Sequence, residues 1–319
     1  MTANWAVTTG IADFAARTRL SELPEEVIAN ARELVGVCLV SGLGAAATAD
    51  ARAMHAFLAA FDDTLPPFGA EGAVLGRLGR LSPSAAVTFN AACMVLADAA
   101  APGPSSTLLP GAEVVSGVLA AAGMESATGP SLLEGVAVGA ETGLRIARAI
   151  ARSRPSSGWS VRGLTGRIAA AVAVVKILGG GVDQFRQAIG LGATQAAGLA
   201  YLAPSAGAAL LTGRAARDGL EAGLLSLTDW QGPERPIEGD RGLLQLITGP
   251  DGAAEADEII TGLGDHWFLA QSAMDGTATT RACRLLREQE PVEDDPFLRY
   301  LRHIESESVQ GAGPGTERP

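Results

Sequence analysis

The sequence predicts an all-α fold, and three observations carry that expectation. The chain is 47% hydrophobic but only 4% aromatic, so its core has to be built from Ala, Leu and Val. Ala favours helix, and small side chains let neighbouring helices approach closely. Apolar stretches of helical length alternate with Pro- and Gly-rich breaks, and few segments read as strands. With 319 residues, the chain is long enough to bury a substantial core.

Residues 6–19 read as a first helix, with Ile11, Phe14 and Ala15 on one face. Ser21 and Pro24 mark the entry to a second, running from residue 26 toward Ser41 and apolar almost throughout its later half. Residues 50–60 form a shorter helix, and residues 61–81, with Pro66 and Pro67, a loop with a short extended piece. Ser82 followed by Pro83 opens a helix over 84–101, which residues 102–110 cannot continue. Helices follow over 111–122 and, after a break at Gly129 and Pro130, over 132–151. A Ser- and Gly-rich loop spans 155–166. A helix over 167–178 ends at Gly179, Gly180 and Gly181. Residues 182–191, 195–202, 213–227 and 239–246 continue the array, and residues 249–258 are acidic and loose. A last helix over 274–289 precedes a polar tail. This gives a single helical domain over 1–290 and a disordered tail over 291–319.

The net charge of −11 argues against nucleic acid or an anionic membrane surface as partner. Lys176 is the sole lysine, which limits Schiff-base chemistry. Cys38, Cys93 and Cys283 are odd in number and dispersed, so they read as buried thiols rather than a disulfide framework. No signal-peptide pattern opens the chain, and the apolar run 34–48 stops short of bilayer length, so a cytoplasmic location is expected. His55, His266 and His303 are too scattered to hold a metal, and the triple glycine follows a helix rather than the strand a dinucleotide fingerprint needs.

Local order says more. FAARTRLSELPEEVIANARELV has a short helix, an "LPEEV" turn and a long helix; GAEGAVLGRLGRLSPSAAVTFNAACMVLADAA follows the order of a central "N-G-x-x-x-H-x-L-D-F-D-D" stretch. LLPGAEVVSGVLAAA, VAVGAETGLRIARAI and GWSVRGLTGRIAAAVAVVKILG parallel "HPG", "G-Y-E-x-x-x-R" and "G-F-H-x-T-G-T-x-G"; ATQAAGL, GRAARDGLEAGLL and GLGDHW complete the series. In this order, from about residue 14 to 267, the segments resemble the MmgE/PrpD family. Its members include methylcitrate dehydratase, cis-aconitate decarboxylase and iminodisuccinate epimerase. The resemblance implies a helical domain that forms a homodimer, chemistry without a cofactor, and an active site between that domain and a smaller α+β lid. It covers the helical domain only, so an all-α, MmgE/PrpD-like domain lacking the lid is expected.

The departures fall on the chemistry. Asp98 matches the first aspartate of the central stretch, but Val95 stands at its histidine and Ala100 and Ala101 at the later aspartates. Leu109 stands at the histidine of "HPG", Ser160 at the next motif's histidine, and Ala208 at a lysine. Leucine has no titratable group with which to move a proton, so standard methylcitrate or aconitate chemistry is not expected. The chain reads instead as a diverged lyase, isomerase or cyclase for a relatively apolar small molecule, in specialised metabolism. The competing reading is a non-catalytic scaffold or partner protein that keeps the fold. Asp98 reads as an acid or base, or as a cap. Arg162 reads as the holder of a carboxylate or enolate, or as a surface charge. Ser105, Ser106 and Thr107 on one loop, and Trp159, Ser160 and Thr165 on another, would bind substrate, as would the buried amide of Gln195; Trp159 also reads as packing and Gln195 as structural. Glu141 and Arg145, four apart, read as a structural pair.

Overall fold

The computed structural model describes residues 6–62, 72–76, 80–96, 108–125, 127–153, 158–202, 205–249 and 253–272. Its helices are α1 (Ala6–Arg17), α2 (Glu25–Ala45), α3 (Ala49–Phe61), α4 (Pro83–Leu96), α5 (Gly111–Met124), α6 (Gly129–Ser153), α7 (Val161–Ile177), α8 (Val182–Thr194), α9 (Ala206–Ser226), α10 (Leu243–Thr248) and α11 (Ala253–Ile260). The one sheet among the described residues is a small antiparallel hairpin, β1 (Gly72–Ala73) with β2 (Arg80–Leu81). Several helix entries rest on a hydroxyl: Thr48, Ser160 and Ser205 accept backbone N–H groups of α3, α7 and α9.

The architecture is organised around α7. Every residue from Gly163 to Val175 is buried, so this helix has no solvent face. Helices α5, α6, α8 and α9 surround it. Small residues set the spacing. A Cβ on Gly139 of α6 would lie 2.6 Å from that of Ala173, and one on Gly219 of α9 would lie 2.5 Å from that of Ala170. Directions follow from such contacts. Glu113 and Gly117 of α5 meet Gly166 and Ala170, so α5 runs parallel to α7; Gly219 and Gly223 give α9 the same sense. Gly135, Gly139 and Gly143 meet Ile177, Ala173 and Ala169, so α6 is antiparallel to it. Ser84 bonds Glu221 while Thr88 packs on Gly213, which sets α4 antiparallel to α9. One end of the bundle therefore collects the starts of α5, α7 and α9 and the end of α4.

Four expectations are corrected. Pro130 does not interrupt a helix but sits in the first turn of α6, where its missing N–H costs nothing. The loop expected up to Gly166 ends six residues sooner, because Ser160 caps α7. The stretch 195–202 does not continue the helix. Gln195 ends α8, and a single 3-10 turn spans Ala200–Leu202. The acidic stretch after Gly249 holds α11, which buries Ala256 and Ile259 while Asp257 and Glu258 stay exposed. The helix expected over 274–289 and the tail lie outside the described residues. Among the described residues α2 alone is long and apolar enough to cross a membrane; here it packs on α4, α5 and α6.

Candidate functional site

The end of the bundle where α5, α7 and α9 begin is built from short polar links. Trp159 forms an isolated antiparallel bridge with Leu199. Ser160 N donates to Gly198 O at 3.1 Å and Ala200 N to Gly158 O at 2.9 Å, tying the entry of α7 to the segment after α8. The Ser160 hydroxyl accepts from Gly163 N at 3.1 Å. One residue beyond the start of α7, Arg162 reaches across to α5. Its Nε donates to both carboxylate oxygens of Glu113, at 2.9 and 3.2 Å. Glu113 is fully buried and the Arg162 side chain is 20% exposed. Gly166 makes this contact possible, since a Cβ there would lie 2.9 Å from Glu113 Cγ. No described residue accepts a hydrogen bond from the two terminal nitrogens of Arg162.

Behind this pair lies a second. Arg167 Nε donates to Asp218 Oδ2 at 2.9 Å, and its Nη1 donates to Gly163 O and, at 3.2 Å, to Ala197 O. Asp218 Oδ1 also accepts from Arg217 Nη2 at 3.0 Å. Arg167 thus pins the first turn of α7 to the segment after α8. Among the described residues no three His, Cys, Asp or Glu side chains gather as a metal would require.

Arg162, Trp159 and Ser160 are brought together here. Thr165 is not on a loop; it is buried in α7 and its hydroxyl donates to Val161 O at 3.1 Å. Gln195 is exposed rather than buried, and its amide makes only long contacts, 3.4 Å, to Leu191 O and Asp218 O. Asp98, Ser105, Ser106 and Thr107 lie outside the described residues. Glu113 is the functional candidate that sequence reasoning passed over. Its signal was a lone carboxylate in an otherwise apolar helix, a group that must find a partner when buried.

The positions that depart from the motif pattern gather at the same end. Val95 is in the last turn of α4, Leu109 just before α5, Ser160 at the cap of α7, and Ala208 in the first turn of α9. A family model for the MmgE/PrpD N-terminal domain matches residues 9–256. The chain belongs to the MmgE/PrpD family. It is 30% identical over 277 residues to a cis-aconitate decarboxylase of Aspergillus terreus, a match covering 82% of this chain and 54% of that protein. It is 29% identical over 278 residues to a cis-aconitate decarboxylase-like protein of Aspergillus oryzae, covering 82% and 56%. The chain therefore spans about half the length of the curated relatives it matches.

In this MmgE/PrpD domain, another buried arginine serves a different end. Arg145 of α6 donates through Nε to Glu141 Oε1 at 2.7 Å. Its Nη1 donates to Ile259 O and Thr261 O at 3.0 and 2.9 Å, and its Nη2 to Gly262 O and His266 O. Glu141 in turn accepts from Phe268 N and Leu269 N, at 3.1 and 2.9 Å. Together they clamp the segment after α11 onto α6, beyond the last residue of the family match.

Proposed function

We propose that this protein is a diverged, cofactor-free lyase-class enzyme that works at the end of the bundle where α5, α7 and α9 begin. The observation behind this reading is Arg162, held on one edge by Glu113, with no acceptor for its terminal nitrogens among the described residues. A guanidinium in that state can hold a carboxylate, or stabilise the negative charge of an enolate as it forms. Decarboxylation, elimination and isomerisation beside a carbonyl all pass through such a charge. The relative named as a cis-aconitate decarboxylase, and the one named as decarboxylase-like, support a lyase. Val95 and Leu109 offer no proton transfer and make the surroundings more apolar, which supports a substrate carrying less charge than cis-aconitate. Asp98 is the proposed acid or base.

A non-catalytic reading is favoured by one observation. Trp159, Leu199, Tyr201 and Leu210 are all exposed, Tyr201 at 94%, and apolar surface of this kind could meet another protein or a second copy of the chain. One experiment separates the readings. The protein is incubated in deuterated water with a panel of unsaturated and 2-oxo carboxylic acids, and proton exchange or product is followed by NMR. An enzyme exchanges or converts at least one of them, and Arg162→Ala or Asp98→Asn slows it by about ten-fold or more. Turnover that neither substitution slows overturns the residue assignment; no exchange with any acid favours the scaffold.

A further inference from the structure

The charge of the Arg162 mouth is set before any ligand arrives. Glu113 is fully buried, and its only cationic partner among the described residues is Arg162. A buried carboxylate held this close to the guanidinium offsets its charge at short range. The contact is one-sided. Both carboxylate oxygens sit on Nε, and none on the terminal nitrogens. The arginine thus keeps the N–H groups of both terminal nitrogens for a planar acceptor, while its charge is already offset by Glu113.

We propose that Glu113 is a positioning residue that limits the substrate to a single carboxylate, attached to an apolar body. This rests on the reading of Arg162 as the substrate-holding group. One carboxylate can take the free side of the guanidinium by hydrogen bonding. A second or third would enter a neighbourhood where the side-chain charges of the Arg162–Glu113 pair already sum to zero, with Glu113 repelling it. Gly166 belongs to the same device, because any side chain there would displace the carboxylate that holds Arg162.

The test uses three six-carbon acids on the full chain: hexanoate, hexanedioate and propane-1,2,3-tricarboxylate. Binding is measured by calorimetry at fixed ionic strength for wild type, Glu113→Gln and Arg162→Met, with circular dichroism to report the fold. Wild type is expected to bind hexanoate at least about ten-fold more tightly than the tricarboxylate. Glu113→Gln keeps an oxygen for Nε but removes the charge. It is expected to raise tricarboxylate affinity by about ten-fold or more and hexanoate affinity by only a few-fold, and a merely structural role for Glu113 would not change that ratio. Wild type preferring the tricarboxylate, or a folded Glu113→Gln with an unchanged ratio, overturns the proposal. If Glu113→Gln does not fold, the wild-type ranking decides. Binding that survives Arg162→Met, or no binding by wild type, overturns the reading of the mouth itself and this inference with it.

Discussion

Two arginines in this molecule each pair with a buried glutamate, and they are finished differently. Arg145 has its guanidinium donors spread over Glu141 and four backbone carbonyls, and neither partner is exposed by more than 1%. Arg162 meets Glu113 through Nε alone and remains 20% exposed. A saturated guanidinium has nothing left to offer a ligand, so it acts as a rivet. An unsaturated one, already oriented, is where a ligand can complete the hydrogen bonding. The sequence distance differs too: Glu141 and Arg145 are one helical turn apart, whereas Glu113 and Arg162 are 49 residues apart and meet because α5 and α7 run parallel.

Neutralising both members of each pair tests that contrast. Glu141→Gln with Arg145→Met strands the carbonyls of Ile259, Thr261, Gly262 and His266. A loss of about 3–5 kcal/mol is expected in urea unfolding. A loss under about 1 kcal/mol would show that the carbonyls find water instead and that the clamp is not the rivet described. The same treatment of the mouth, Glu113→Gln with Arg162→Met, strands no backbone group. Stability should stay within about 1 kcal/mol of wild type while carboxylate binding is lost.

The smallest effect concerns the sole lysine. Lys176 Nζ donates to Ala15 O at 2.8 Å and Thr18 O at 2.6 Å, closing the end of α1, and pairs with Glu134 at 3.0 Å. Burial holds its pKa below the ordinary 10.5, against a partial upward pull from Glu134. Between the lowered folded value and 10.5 the unfolded chain carries the extra proton. Stability from this group therefore rises with pH through that window and is lost as pH falls through the folded value. Lys176→Met should remove a slope of at most about 1.4 kcal/mol per pH unit, read from urea midpoints across alkaline buffers. An unchanged slope would assign the rise to another group.

Much of the helix order was legible because Pro and Gly punctuate it. The start of α7 was not. Its first turns, Val-Arg-Gly-Leu-Thr-Gly-Arg, read as a loop by local preference, yet both glycines serve packing: a Cβ on Gly163 would lie 2.7 Å from Ala197 O, and Gly166 makes room for Glu113. The acids of α11 likewise concealed a helix that exists because Ala256 and Ile259 have a core to enter. At the site, the charge of Glu113 was visible in the sequence. Its partner was not, since only the parallel packing of two helices brings the two together.

The clamp on α6 also has an order in time. Arg145 lies 114 to 121 residues before the carbonyls it holds, and Glu141 lies 127 and 128 residues before the N–H groups it accepts from. During synthesis α6 leaves the ribosome long before its partners exist, so its two charged side chains must stay hydrated until they arrive. That face of α6 can dry only once the chain has been made as far as Leu269. A ribosome that stalls earlier releases a domain with an open, water-filled seam, and a protease or chaperone could tell it from the finished molecule.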